Sequence, residues 1–167
     1  MPIGLHLIFE VSSTMMALPV EAVAEVVLLP RLGRFPAMPT MLDGVMNLRG
    51  RAVPVVAMAR LLGLGEGNPG RFSPVVVMGG TVSWGGLVDR AVAVAQLTRS
   101  PQPPPPDLTL NDCVVAMAGG EVGEFGGIGL LPILDPARLL TRREMLVLGD
   151  FRRLAEDRLE EWDGARA

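Results

Sequence analysis

Few side chains in this sequence are of a kind that does chemistry, and their spacing narrows the choice further. One His, His6, lies in a strand-like run between Leu5 and Leu7, and one Cys, Cys113, follows Asn111-Asp112. Single copies leave no Cys/His cluster for a zinc site. A nucleophilic triad could draw on His6, yet no Ser has the Gly-x-Ser-x-Gly setting of a nucleophile elbow. Cys113 has neither a second Cys nor a basic cluster beside it to lower its pKa, so it reads as a structural thiol. Asp43, Asp89 and Asp135 are carboxylates that spacing alone does not pair as a glycosidase requires. Gly65-Glu66-Gly67-Asn68-Pro69-Gly70 has the letters of a dinucleotide fingerprint. It holds a Pro, though, and it neither follows a strand nor opens a helix, so its amides have no reason to converge on a pyrophosphate. What remains is Asn47 and Arg49, polar residues that with Arg51 interrupt the mostly apolar string Gly44 to Val55, where each needs a polar partner.

Composition excludes further chemistry. The 167 residues carry 15 basic side chains, all of them Arg, so the Lys of a phosphate loop, a Schiff-base enzyme or a protein kinase core is missing. With 18 acidic residues the net charge is −3, which does not supply the basic footprint of a nucleic-acid protein. Hydrophobic residues make up 49% and aromatics only 4%, so an aliphatic core forms without metals or disulfides. A lone Cys fits a reducing cytoplasm. Met1 to Val11 lacks a basic n-region and does not read as a signal peptide. No run of apolar residues is long enough to span a membrane, so direct membrane insertion is not expected.

The elements that must position Asn47 and Arg49 are short. Ile3, Leu5, Leu7, Phe9 and Val11 alternate with period two, predicting a strand with one buried face. A short helix from Val20 leads into a strand at Val26 to Leu29, then a Pro-punctuated loop runs from Pro30 to Pro39. Gly44 to Ala57 predicts two strands joined at Gly50-Arg51, with Pro54 suggesting an edge position. One helical turn is expected within Ala59 to Leu64. Val75 to Met78, Gly79-Gly80 and Thr81 to Trp84 form the best hairpin signal, and Gly85-Gly86 predicts a break before Leu87 to Val94. Pro101 to Pro106 reads as an extended connector. Val114 to Met117 and Gly129 to Leu134 give the last strands. Short strands about ten residues apart favour a barrel or sandwich. The tail is helical: Thr141-Arg142-Arg143-Glu144 fits a capping box, and Leu148, Phe151, Ala155, Leu159 and Trp162 line one face. A break at Gly149 or Asp150 is expected.

The string Gly44-Val45-Met46-Asn47-Leu48-Arg49-Gly50-Arg51-Ala52-Val53-Pro54-Val55 closely resembles the signature of the CheW-like family. Three further blocks follow the family's order. Leu18-Pro19-Val20 with Val23-x-Glu25-Val26 resembles its N-terminal block, and Gly86-Leu87-Val88-Asp89 with Val94 its central block. Leu131 to Leu140 resembles its closing strand and helix start. The chain departs from the pattern at Ala57 and Ala93, where the family often has carboxylates, and at Met16, where it often has an aromatic.

The resemblance implies a mainly β fold: two packed five-stranded β-barrel lobes with a C-terminal helix. The expected domain covers residues 1–148, with lobes at roughly 15–80 and at 3–14 plus 81–140, and a helical extension at 149–167. It implies a non-enzymatic cytoplasmic adaptor without cofactors, peripheral to receptor arrays. Its partners would be a CheA-type histidine kinase and the cytoplasmic tip of a methyl-accepting chemoreceptor. Val23, Glu25, Gly44 and Arg49 match positions linked to coupling, Val88 and Val94 match positions near the receptor groove, and Asn47 belongs to the signature. A Glu25–Arg49 pairing is expected. Two other readings compete: a module self-assembling through the helix face around Phe151 and Trp162, for example in pilus motility, and a small hydrolase using His6.

Overall fold

The computed structural model describes residues 2–80, 82–104, 112–119 and 130–166. Strands β1 (Pro2–Val11), β2 (Thr14–Pro19), β8 (Arg90–Arg99), β9 (Val114–Gly119) and β10 (Leu131–Leu134) close into a barrel in the order β1-β2-β10-β9-β8. Strands β3 (Val23–Leu28), β4 (Leu42–Leu48), β5 (Arg51–Ala57), β6 (Pro74–Met78) and β7 (Trp84–Leu87) form a second sheet in the order β3-β6-β7-β5-β4. The fold is mainly β, as expected, but only the first lobe is a closed barrel. The second is an open sheet whose edges are β3 and β4.

The chain crosses between lobes twice, and both crossings correct the expected boundaries. Ser12 and Ser13, at φ of +50° and +62°, turn β2 back along β1 as a hairpin, so Thr14–Pro19 belongs to the barrel. A 3-10 turn at Val20–Ala22, in place of the expected short helix, then carries the chain into β3. Strand β7 stays with the sheet because Trp84 to Leu87 pairs antiparallel with Met78 to Val75 and parallel with β5. The return to the barrel therefore comes at Val88-Asp89 rather than near residue 81.

Gly85 and Gly86 lie inside β7 instead of interrupting it. Their role is steric: a Cβ on Gly85 would collide with Val75, and one on Gly86 would meet Met58 at 2.9 Å. A short helix, α1 (Met58–Leu61), supplies that Met58.

Strand β1 is buried on two sides, which its alternation does not reveal. Ile8 faces the barrel interior with Leu97, Leu131 and Ile133. Leu7, Phe9 and Val11 face outward, yet they are covered by Leu42, Val56, Val76 and Met78 from the sheet and by Leu148 from the C-terminal helix. The outer wall of the barrel is thus the core between lobes. Truncating a fully buried aromatic such as Phe9 costs about 3–5 kcal/mol in such a setting. Leu5, at the end of the same strand, escapes this cover and is 53% exposed.

Helix α2 (Arg142–Arg166) starts with the expected capping box. The Thr141 amide donates to Glu144 Oε1 at 2.9 Å, and the Glu144 amide donates to Thr141 Oγ1 at 3.1 Å. The helix continues through Gly149 and Asp150 without the expected break, so it does not begin at 149. Leu148 and Ala155 are buried and Phe151 is partly so; the side chains of Leu159 and Trp162 fall outside the described residues, as do Pro105 and Pro106 of the Pro run.

Candidate partner-binding surface

The β4–β5 hairpin carries the polar residues that the sequence singled out. Leu48 pairs with Arg51, leaving Arg49-Gly50 as a two-residue turn with φ of +50° and +87°. Positive φ at both positions is the primed turn geometry that matches strand twist. Gly adopts it freely, whereas Arg is strained there. Asn47 Oδ1 accepts the Gly50 amide at 2.7 Å and so holds the turn from inside. The strained backbone aims the Arg49 side chain at Glu25 of β3, and the two form the expected ion pair. Arg49 is 72% exposed and Glu25 30%. The Glu25 carboxylate, through its hydrogen bond first and its charge second, raises the Arg49 guanidinium above its ordinary pKa.

This pair has a topological meaning. Strands β3 and β4 are opposite edges of the sheet, so a contact between their residues requires the sheet to curl until its edges face each other. The interior confirms the curl: Val27 and Leu29 from one edge and Met46 and Leu48 from the other share a core with Val53, Val55, Val75 and Val77. Side chains bridge the seam where a fifth ladder would have closed a barrel.

The remaining expected site residues do not gather there. Val23, beside Met78, is half-buried against the core between lobes. Val88 is 1% exposed within that core, so it shapes the junction and offers no surface. Gly44 is buried, and a Cβ on it would lie 2.7 Å from the Gly33 carbonyl oxygen and 2.8 Å from Leu32 Cβ. It is a packing glycine that lets the Pro30–Pro39 loop bridge to β4, where Gly33 and Val45 exchange two 2.8 Å hydrogen bonds. Val94 is 58% exposed on the barrel wall, paired with the buried Leu7. Reasoning from sequence missed Val26, Leu28 and Phe72, which are exposed apolar residues on and beside the edge strand β3. The unbroken run Val26 to Leu29 hid which of its members face outward.

Several rival sites dissolve. His6 is buried, with Nδ1 3.0 Å from the Gly4 carbonyl oxygen of its own strand. Burial raises the Cys113 thiol above its ordinary pKa, which keeps it in the unreactive protonated form. In the Gly65–Gly70 loop the amide of Asn68 donates at 3.0 Å to the Asp89 carboxylate, so the anion it meets is part of the chain. That carboxylate also accepts the Ser12 amide at 2.8 Å, tying the barrel's first hairpin to the sheet's loop. Among the described residues no group of three His, Cys, Asp or Glu could hold a metal, and no helix is long and apolar enough to cross a membrane.

A closed five-stranded barrel backed by a curled five-stranded sheet, with a charged seam and exposed apolar side chains along an edge, defines a two-lobed β module built around its surfaces. Comparison with known proteins gives that module its family. The model of the CheW-like domain matches residues 5–144, and the chain belongs to that family. The chemotaxis protein CheW of Thermotoga maritima is 32% identical over 92 residues, which span 55% of this chain and 61% of that protein. The scaffolding protein CheW of Thermoanaerobacter tengcongensis shares the fold, with a TM-score of 0.72 over 87% of this chain and 94% of that one, at 22% identity.

Proposed function

We propose that this chain is a non-enzymatic cytoplasmic adaptor that couples the cytoplasmic tip of a chemoreceptor to a CheA-type histidine kinase. The observation that carries the reading is the Glu25–Arg49 pair at the sheet seam, with Val26 and Leu28 exposed on the other face of the edge strand β3. Exposed apolar side chains and charged groups on a sheet edge are the means by which a protein-docking surface is built. The exposed ion pair adds little to stability, so its value lies in the shape and charge it presents. Val94 is a further exposed apolar side chain, on the barrel wall. The rival self-assembly through α2 is disfavoured because Leu148 and Ala155 of that face are buried within their own chain. The hydrolase reading is disfavoured by the engagement of His6 with its own strand.

The test is capture of partners from the native cells by the wild-type protein and by Arg49→Glu. The wild type should recover a CheA-type kinase and a receptor, and the variant should lose both while keeping its β-sheet circular dichroism. Recovery of neither by the wild type, in cells that express both, overturns the reading.

A further inference from the structure

A cleft of about 580 Å³ opens between the loop after β3, the β4–β5 hairpin and helix α2. Its apolar wall includes Phe35, Val45, Ala52 and Ala155, and Arg31 and Arg158 complete the part that matters here. Val45, Ala52 and Ala155 are buried together with Phe35 packed against them, so the floor is formed before anything binds. The Arg158 guanidinium carbon lies 4.9 Å from the centroid of the Phe35 ring, a cation–π contact that holds it in the wall. Among the described residues no acidic side chain lines the cleft, and neither Arg31 nor Arg158 takes part in an ion pair. In a chain of net charge −3, two guanidinium groups beside an apolar floor give this cleft a cationic, amphipathic lining. The family match ends at residue 144, so the α2 wall, with Ala155 and Arg158, is supplied by residues beyond it.

We propose that this cleft binds a small amphipathic carboxylate. The apolar body of the ligand lies against Phe35, Val45, Ala52 and Ala155, and its carboxylate accepts hydrogen bonds from Arg31 and Arg158. The volume falls within the range of small-molecule clefts, which combine apolar walls with a few charged groups that fix orientation. The guanidinium fork matches a carboxylate in geometry as well as charge. Asn47, which holds the turn presenting Arg49, also lines the cleft, so an occupant would sit directly behind the charged seam.

The test is calorimetric titration of the purified full chain with decanoate, below its micelle concentration, against decanol and decyltrimethylammonium as uncharged and cationic probes of the same chain length. Decanoate should bind saturably at one site, and the other two probes at least about tenfold more weakly, since hydrogen bonds to charged groups carry that much discrimination. Arg158→Glu should weaken decanoate binding by about tenfold or more. Ala155→Trp, which fills the cleft from α2, should abolish it. Absence of decanoate binding, equal binding of decanol, or wild-type affinity in Arg158→Glu would overturn the proposal, whatever the outcome of the kinase and receptor experiments.

Discussion

Glu25 and Arg49 belong to opposite edges of an open five-stranded sheet, and they meet because the sheet curls through almost a full turn. Glu25 stands on the first strand of that sheet and Arg49 in the turn after the last. Their ion pair lies across the seam that backbone hydrogen bonds leave open, and it stays in water. A feature placed there contributes more to what the surface presents than to how firmly the lobe folds.

Arg49→Asn separates those two roles. Asn tolerates the positive φ of the turn better than Arg, which offsets the lost ion pair. The thermal midpoint should stay within about 2 °C of wild type, while capture of kinase and receptor falls sharply. A fall in midpoint of many degrees would make Arg49 a structural residue.

Asp89 joins the lobes by accepting amides from Ser12 in the barrel hairpin and Asn68 in the sheet's loop. Hydrogen bonds to a charged acceptor contribute about 1.5–3 kcal/mol each when well formed. Asp89→Ala should lower unfolding free energy in urea by roughly 2–4 kcal/mol, given two such bonds partly replaced by water. An unchanged urea midpoint would show that the packing of Phe9, Val56 and Val76 holds the lobes together without it.

Two glycines should respond in opposite directions. Gly44→Ala pushes a methyl group against the Gly33 carbonyl oxygen and Leu32, and should cost about 1–3 kcal/mol. Gly149 lies inside α2 with nothing within 4 Å of a built Cβ, so Gly149→Ala should add about 0.5–1 kcal/mol through helix propensity. Urea titration of the two variants reads both signs, and a stabilising Gly44→Ala would contradict the packing described.

Cys113 makes stability pH-dependent on the alkaline side. Desolvation raises its native pKa, so above the ordinary thiol range the unfolded chain has released a proton that the native chain still holds. The unfolded state then binds fewer protons, and unfolding becomes easier as pH rises through that range towards the raised native value. Cys113→Ser should flatten this fall. A thiol reagent at pH 8 should label the native protein slowly and the urea-unfolded protein at once; fast native labelling would contradict the burial.

Local signals in the sequence were enough for the elements around Arg49. The hairpin and the capping box at Thr141 and Glu144 are each written in neighbouring positions, and each formed, although the turn falls at Arg49-Gly50, one residue before the expected Gly50-Arg51 junction. The Glu25–Arg49 pair was legible only through resemblance, because nothing local says that two edge strands will face each other. Gly85-Gly86 misled for a related reason: room for Val75 and Met58 is a tertiary demand that looks like a turn when read along the chain. Val88 misled as well, since a match to a family position does not show whether the side chain faces a partner or the core between lobes. The exposed Val26 and Leu28 were hidden in an apolar run whose two faces only the pairing with β6 tells apart.

The most direct test of the adaptor reading is a binding titration of the purified chain with the CheA-type kinase of its own cells, comparing wild type, Arg49→Glu and the charge swap Glu25→Arg/Arg49→Glu. Wild type should bind saturably, Arg49→Glu at least about tenfold more weakly, and the swap should not recover fully, since pairing returns but the presented charges are reversed. Wild-type affinity in Arg49→Glu, with the protein folded, would contradict the placement of the coupling surface at the sheet seam.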